Sequence, residues 1–360
     1  MNPISKKTAV IAAVVIVILI VAGVGAWYFT APPPVERITW RAATSAEGTV
    51  GYVAITLLCD VATRTYPQYM QVLPTTTPGA TASVKVYDKG ESDSCYNTLQ
   101  HHYQIKTGTG PFDPKAYTMK RATEQIIWMY PLIYFMIIRK GDADKIKSWS
   151  DVAGKKFYPT PPGFGSNEVA REVFGPNGLN VWGKLEEKQM DTSAAADSLK
   201  LGVVDVIWGY CDPGALAPWV AEVDTKVDIV LVPPTAEELK KATATGWITP
   251  YKIDPKKFFT KSVYPEPVTC VAMPFGLAAD KSLSDRHVYY FVKACFEKKD
   301  ELAKSLATYK EFAVTGFEWN IEVFKIQSKA FGATIHPGVA LYLKERGYDP
   351  AALEILVAKR

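Results

Sequence analysis

PLIYFMIIRKGD, residues 131–142, and PVTCVAMPFGLAAD, residues 267–280, share one form: a proline, about eight apolar residues, then a charged turn. An unbroken apolar run of that length, bounded by turn residues, is the pattern of a strand buried on both faces. The two runs flank roughly 130 residues that hold strand and helix units of their own. A pair of long strands crossing between two bodies accounts for this spacing. On that reading residues 38–136 with 268–360 form lobe one, residues 137–267 form lobe two, and a ligand lies in the cleft between them. A single continuous open sheet is the competing arrangement, and the pattern leaves both open.

Outward from these runs, strand-like and helix-like stretches alternate. ITWRAAT (38–44) reads as a strand, SAEGTVG as a glycine-bearing loop, and YVAITLLCDVATRTY (52–66) as an apolar-periodic helix. MQVLPTT (70–76) followed by ATASVKVYDKG (80–90) repeats the unit, as does KFYPT followed by PPGFGSNEVAREVFG. VVDVIWG (203–209) and VDIVLVPP (227–234) read as buried strands, and the tail beyond residue 286 as amphipathic helices. The class is α/β, and the alternation predicts a largely parallel sheet covered by helices on both faces.

The chain has 360 residues, 41 Lys and Arg against 37 Asp and Glu, and 48% hydrophobic residues, which excludes a disordered or collagen-like polymer. Part of that fraction is membrane-like. TAVIAAVVIVILIVAGVGAWYF (8–29) carries no charge, and as a helix of about 1.5 Å per residue it matches a bilayer core of about 30 Å. Lys6 and Lys7 precede it and no acid occurs before Glu36, so residues 1–7 are expected in the cytoplasm and the remainder outside. Cleavage as a signal segment after the small residues Val24 and Ala26 is the alternative, leaving a periplasmic or secreted protein. TAPPPVER (30–37) is the expected tether, stiffened by three consecutive prolines. No basic run with interleaved aromatics occurs, which argues against a nucleic-acid partner.

Enzyme and cofactor signatures are missing: no GxSxG, GxxxxGK, HExxH or opening GxGxxG. Cys59, Cys95, Cys211, Cys270 and Cys295 are widely spaced without a CxxC, so neither zinc nor another metal or cofactor is expected, and buried free thiols are. The adjacent His101 and His102 are expected on the surface or in a loop, since neighbours diverge in helix and strand alike. What recurs is glycine with Ser, Thr or Asn at a helix start: Thr44, Ser45, Gly48 and Thr49; Thr76, Thr77, Gly79 and Thr81; Gly163, Gly165, Ser166 and Asn167 with Phe164 among them. Free N–H groups there bind anions, glycine admits a ligand to the backbone, and hydroxyls add direction. Each loop alone reads as an ordinary cap. Three of them at strand C-terminal ends point to a ligand site. Tyr130, Tyr210, Cys211 and Asp212, at further strand ends, join the candidates, with packing as the competing role of the aromatics.

HPGVALYLKERGY (336–348) resembles the C-terminal signature of the TAXI family, the solute-binding proteins of TRAP (tripartite ATP-independent periplasmic) transporters, through His336, Pro337, Gly338, Tyr342, Glu345 and Gly347. SWSDVAGKKFYPTPPGFGSNEVARE (148–172) and the segment from Pro267 to Leu302 are similar to further stretches of that family. The sequence departs from the pattern at Phe164 and Asn167 and in the first loop. The resemblance implies a two-lobed periplasmic-binding-protein fold of type II-like form with hinge strands. It also implies closure on a small organic anion, such as glutamate or a dicarboxylate, and delivery to an integral-membrane TRAP permease. It places Asn97 near the ligand. His336 itself reads as structural rather than as a ligand or base, since it opens the C-terminal segment expected to pack on lobe one. The three loops hold no Lys or Arg, so a carboxylate is expected at helix N-termini. Glu47 is the only charge among them. It either pairs with a ligand ammonium, favouring amino acids, or is merely solvated beside the cleft. A binding protein of an ABC importer is the runner-up function, and a membrane-tethered enzyme the third.

Overall fold

The computed structural model describes residues 36–162, 164–260 and 267–360. The expected cytoplasmic tip (1–7), the membrane segment at 8–29, most of the tether and Gly163 lie outside the described residues. Among the described residues no helix is long and apolar enough to cross a membrane.

The chain opens with β1 (Ile38–Ala43), α1 (Val50–Thr65), β2 (Met70–Thr75), α2 (Ala80–Asp88), β3 (Ser94–Thr98) and α3 (Leu99–Thr107). The long strand β4 (Glu124–Arg139) leads to β5 (Lys156–Tyr158), α4 (Gly165–Phe174), β6 (Glu186–Glu187), α5 (Ala195–Lys200), β7 (Val206–Cys211), α6 (Pro218–Lys226), β8 (Ile229–Val232), α7 (Ala236–Ala242) and β9 (Thr249–Ile253). The second long strand, β10 (Val268–Ala279), precedes α8 (Asp285–Glu297), α9 (Lys299–Ser305), α10 (Tyr309–Phe331) and α11 (Pro337–Glu345).

The strands follow the order β2-β1-β3-β10-β4-β7-β5-β6, with β8 added to β4 and β9 to β10. β4 and β10 run antiparallel, from Val271 opposite Tyr134 to Ala279 opposite Glu124. Past the overlap they part company. The C-terminal half of β10 takes β3 as its other neighbour and its N-terminal half takes β9, while the C-terminal half of β4 carries β7 and β8. Each long strand therefore serves both halves, and the protein has a two-lobed α/β architecture.

The sheet is mixed rather than largely parallel. β1–β2, β1–β3, β5–β6 and β5–β7 are parallel, but every pairing of β4 or β10 is antiparallel. The βα units enforce parallel neighbours inside a lobe, whereas strands that pass from one lobe to the other must run against them.

Alternation along β4 explains why its sequence is apolar without a period. Ile133, Phe135 and Ile137 enter one core with Val220, Leu231 and Ala272, while Tyr134, Met136 and Ile138 enter the other with Trp208 and Val271. Each such buried side chain contributes about 1.5–3 kcal/mol of burial free energy. The five cysteines are buried and unbridged, in keeping with the sequence reading. His101 and His102 are not surface residues: both are buried in α3, where their rings find polar partners in Thr98 and Thr81 and in Asn97 and Gln125. His336 is buried as well and caps α11, its Nδ1 accepting from the Gly338 N–H at 3.1 Å.

Candidate ligand-binding site

Where β4 and β10 cross, a cavity of about 490 Å3 opens between the lobes. Its floor is written in strand alternation. Tyr130, Leu132 and Tyr134 occupy every second position of β4, as do Met273 and Phe275 of β10 and Tyr210 and Asp212 at the end of β7, so all point to the same face. Register brings them together: Phe275 lies opposite both Thr98 and Tyr130, Met273 opposite Leu132, and Tyr210 opposite Tyr134. The rings of Tyr130 and Phe275 stack at 5.6 Å, and Tyr96 stacks on the same phenylalanine at 5.5 Å. Tyr96 and Tyr130 share a hydroxyl hydrogen bond of 2.7 Å.

The walls are helix N-termini. Thr49 caps α1, its hydroxyl accepting from Tyr52, and it meets the Ser45 hydroxyl at 2.6 Å. Gly48 holds the turn at φ +79°, and Gly51 packs so tightly that a Cβ would stand 2.7 Å from the Ser45 hydroxyl and 2.8 Å from the Tyr96 ring. At α3 the cap is reciprocal: Thr98 accepts from the His101 N–H, and His101 Nδ1 accepts from the Thr98 N–H at 3.0 Å. That bond leaves the proton on Nε2, 3.1 Å from the Thr81 hydroxyl. Burial, and then the neighbouring His102, hold His101 down to a pKa of about 3, so it faces the cavity neutral. The starts of α2, at Gly79, and α4, at Phe164, have no side-chain cap.

Two carboxylates line the cavity. Glu168, in the first turn of α4, is reached from solvent through the cleft mouth yet enclosed by protein on most sides. The loss of solvent raises its carboxyl above the usual range, against a hydrogen bond from Gln100 that lowers it. Asp212 is raised in the same way by burial, although the N–H groups of Gly214 and Ala215 donate to it at 2.6 and 3.1 Å and Thr308 donates as well. Among the described residues no Lys or Arg lines this cavity.

Of the residues singled out in the sequence, Ser45, Gly48, Thr49, Gly79, Thr81, Tyr130, Phe164, Gly165, Ser166, Tyr210 and Asp212 line the cavity. Others stand behind or beside it. The Thr44 hydroxyl is turned into the backbone, donating to Thr75 O at 3.0 Å, and the Thr77 hydroxyl donates to Thr44 O at 2.7 Å. Asn97 is buried against Gln125 and His102, Asn167 donates to Thr160 O, and Cys211 belongs to the second core. Glu47 and Thr76 are exposed and outside the lining. Tyr130 does not head its strand, because β4 begins six residues earlier at Glu124. Sequence reading missed Tyr96, Gln100, His101, Tyr134, Glu168, Met273 and Phe275. The period-2 positions around Tyr130 were the available signal for Tyr134, and a strand partner cannot be read from one strand.

The NMT1-like family model matches residues 42–347. No curated protein matches in sequence. Among solved structures, MatC from Rhodopseudomonas palustris with bound malate is similar at 14% identity and TM-score 0.45, over 82% of this chain and 98% of that one. The periplasmic aliphatic sulphonate binding protein SsuA from Escherichia coli matches at 10% identity and TM-score 0.39, over 85% and 82%. Substrate binding domain 2 of GlnP from Lactococcus lactis, in open conformation, matches at 14% and TM-score 0.39, over 78% and 98%.

Proposed function

This chain belongs to the NMT1-like family, and from that premise we propose that it is an extracytoplasmic solute-binding receptor that closes its lobes on a small organic solute and hands it to a membrane permease. The observation that carries this reading is the cavity at the crossing of β4 and β10, walled by loops from both halves of the sheet. A hinge pair at the floor of a cleft lets the lobes move while the floor keeps its register. The lobes divide, on this reading, near residues 136–137 and 267–268, and residues 8–29 anchor the receptor or are cleaved. A carboxylate on the solute would meet the uncapped starts of α2 and α4. Binding rather than catalysis is favoured because His101, the histidine on the cavity wall, is held neutral with both ring nitrogens engaged.

We further propose a TRAP-type permease of the TAXI kind as the acceptor, on the resemblance of residues 336–348. An ABC importer is the second reading. Thermal unfolding of the full chain with metabolite extract tests the receptor: a fraction that raises Tm is expected, and the absence of any such fraction refutes it. Uptake of that solute in reconstituted vesicles separates the acceptors, with ion-gradient dependence supporting TRAP and ATP dependence supporting ABC.

A further inference from the structure

The cavity's charge inventory is at odds with an anionic cargo. Glu168 and Asp212 both line it, His101 is neutral, and among the described residues no Lys or Arg does. The surrounding wall is aromatic. Tyr134, one of the lining residues, is fully buried, with a hydroxyl that has no hydrogen-bond partner among the described residues. That hydroxyl lies 3.9 Å from where a Cβ on Gly165 would project, and both residues line the cavity. A buried hydroxyl without a protein partner is costly and is completed by a water or by a ligand. Glu168 and Asp212 line the same cavity as the two tyrosines of β4, Tyr130 and Tyr134.

Resting on the receptor reading, we infer that the solute carries a cationic nitrogen seated against the tyrosines of β4 and β7, with Glu168 and Asp212 as its counter-charges, and bears no net negative charge. The ring faces attract the cation, the Tyr134 oxygen accepts an N–H donor, and the carboxylates neutralise it. One carboxylate on the solute is accommodated at the uncapped start of α2 or α4. A second finds no positive partner and meets two like charges. This excludes malate, 2-oxoglutarate and glutamate as cargo.

The test follows thermal unfolding of the full chain with tyramine, choline, 4-aminobutyrate and glycine betaine, and separately with malate, 2-oxoglutarate and glutamate. We expect a Tm rise within the first set only, and an affinity at least tenfold weaker in Glu168→Gln or Asp212→Asn, both near-isosteric changes that keep an oxygen acceptor. A rise confined to the second set, or an affinity unchanged in both variants, overturns the inference. If neither set acts, metabolite extract divided on cation- and anion-exchange resins decides. Stabilisation by solutes retained on the cation exchanger supports the inference, and stabilisation by those retained on the anion exchanger overturns it while leaving the receptor standing. If no fraction stabilises, the receptor reading falls, and this inference falls with it.

Discussion

The hydroxyl pair of Tyr96 and Tyr130 offers a quantitative probe of the cavity floor. The oxygens lie 2.7 Å apart, the residues are 5% and 2% exposed, and the pair spans two strands that never touch directly, because β10 runs between them. Burial raises both phenols above their ordinary values, so both stay protonated and one donates to the other. Replacing either tyrosine by phenylalanine strands its partner in an apolar setting next to the Phe275 ring, at about 1–3 kcal/mol. Replacing both removes donor and acceptor together, so the double variant should lose about as much as one single variant. The coupling energy should then equal one single loss, about 1–3 kcal/mol. Urea unfolding followed by tryptophan fluorescence measures all four corners of the cycle. Strict additivity, or single losses below about 0.3 kcal/mol, would refute the reasoning by showing that water satisfies the lone hydroxyl.

Three further outcomes follow from the geometry. At Gly276, beside the register shift between β4 and β10, a Cβ would stand 2.7 Å from the Trp128 ring and clash with Gln125 and the Ile127 carbonyl. Gly276→Ala should therefore cost about 3 kcal/mol in urea unfolding, and a loss under 1 kcal/mol would contradict the tight crossing. Gly165→Val should leave the unliganded protein within about 1 kcal/mol of wild type, since its Cβ finds ordinary contact at 3.5 Å from Met273, while the added methyls enter the cavity and abolish solute-induced stabilisation; an undiminished Tm rise would remove α4 from the site. Burial holds His102 down to a pKa of about 4, so the unfolded chain, with an ordinary value near 6.5, takes up this proton first and stability is lost as pH falls from about 6.5 towards 4. Up to about 1.4 kcal/mol per pH unit comes from this ring, read as the difference between wild type and His102→Gln across that window, in which shared carboxylate effects cancel. Parallel curves for the two proteins would show that the ring is not held neutral.

The crossing strands were legible because a strand covered on both faces must be apolar at every position, and such a run stands out wherever it occurs. β1, β2, β7 and β8 were readable for similar local reasons, as was the helix after each glycine loop. The direction of β4 and β10 against their neighbours was not, since hydrophobic pattern is the same for a strand run either way. Loop chemistry found the helix starts that wall the cavity, including Ser45, Thr49, Gly79 and Ser166, yet the same rule also picked Thr44, Thr77 and Asn167, whose side chains turn away to hydrogen-bond backbone carbonyls of Thr75, Thr44 and Thr160. The misplacement of charge is the most instructive case. Glu47 sits in a candidate loop but points to solvent, while Glu168, one turn into α4, faces the cavity because the helix axis is set by packing of Val169, Ala170 and Val173 into the core.

By itself the sequence determined the elements, the two long strands and the helix starts, because each depends on residues close together in the chain. Only the tertiary structure decided that Tyr96, Tyr130, Tyr134, Tyr210 and Phe275 share one floor, and that two carboxylates and, among the described residues, no Lys or Arg line the cavity. Those residues come from four strands, and strand register, which fixes which side chains meet, is settled by packing across the whole sheet rather than by any local stretch.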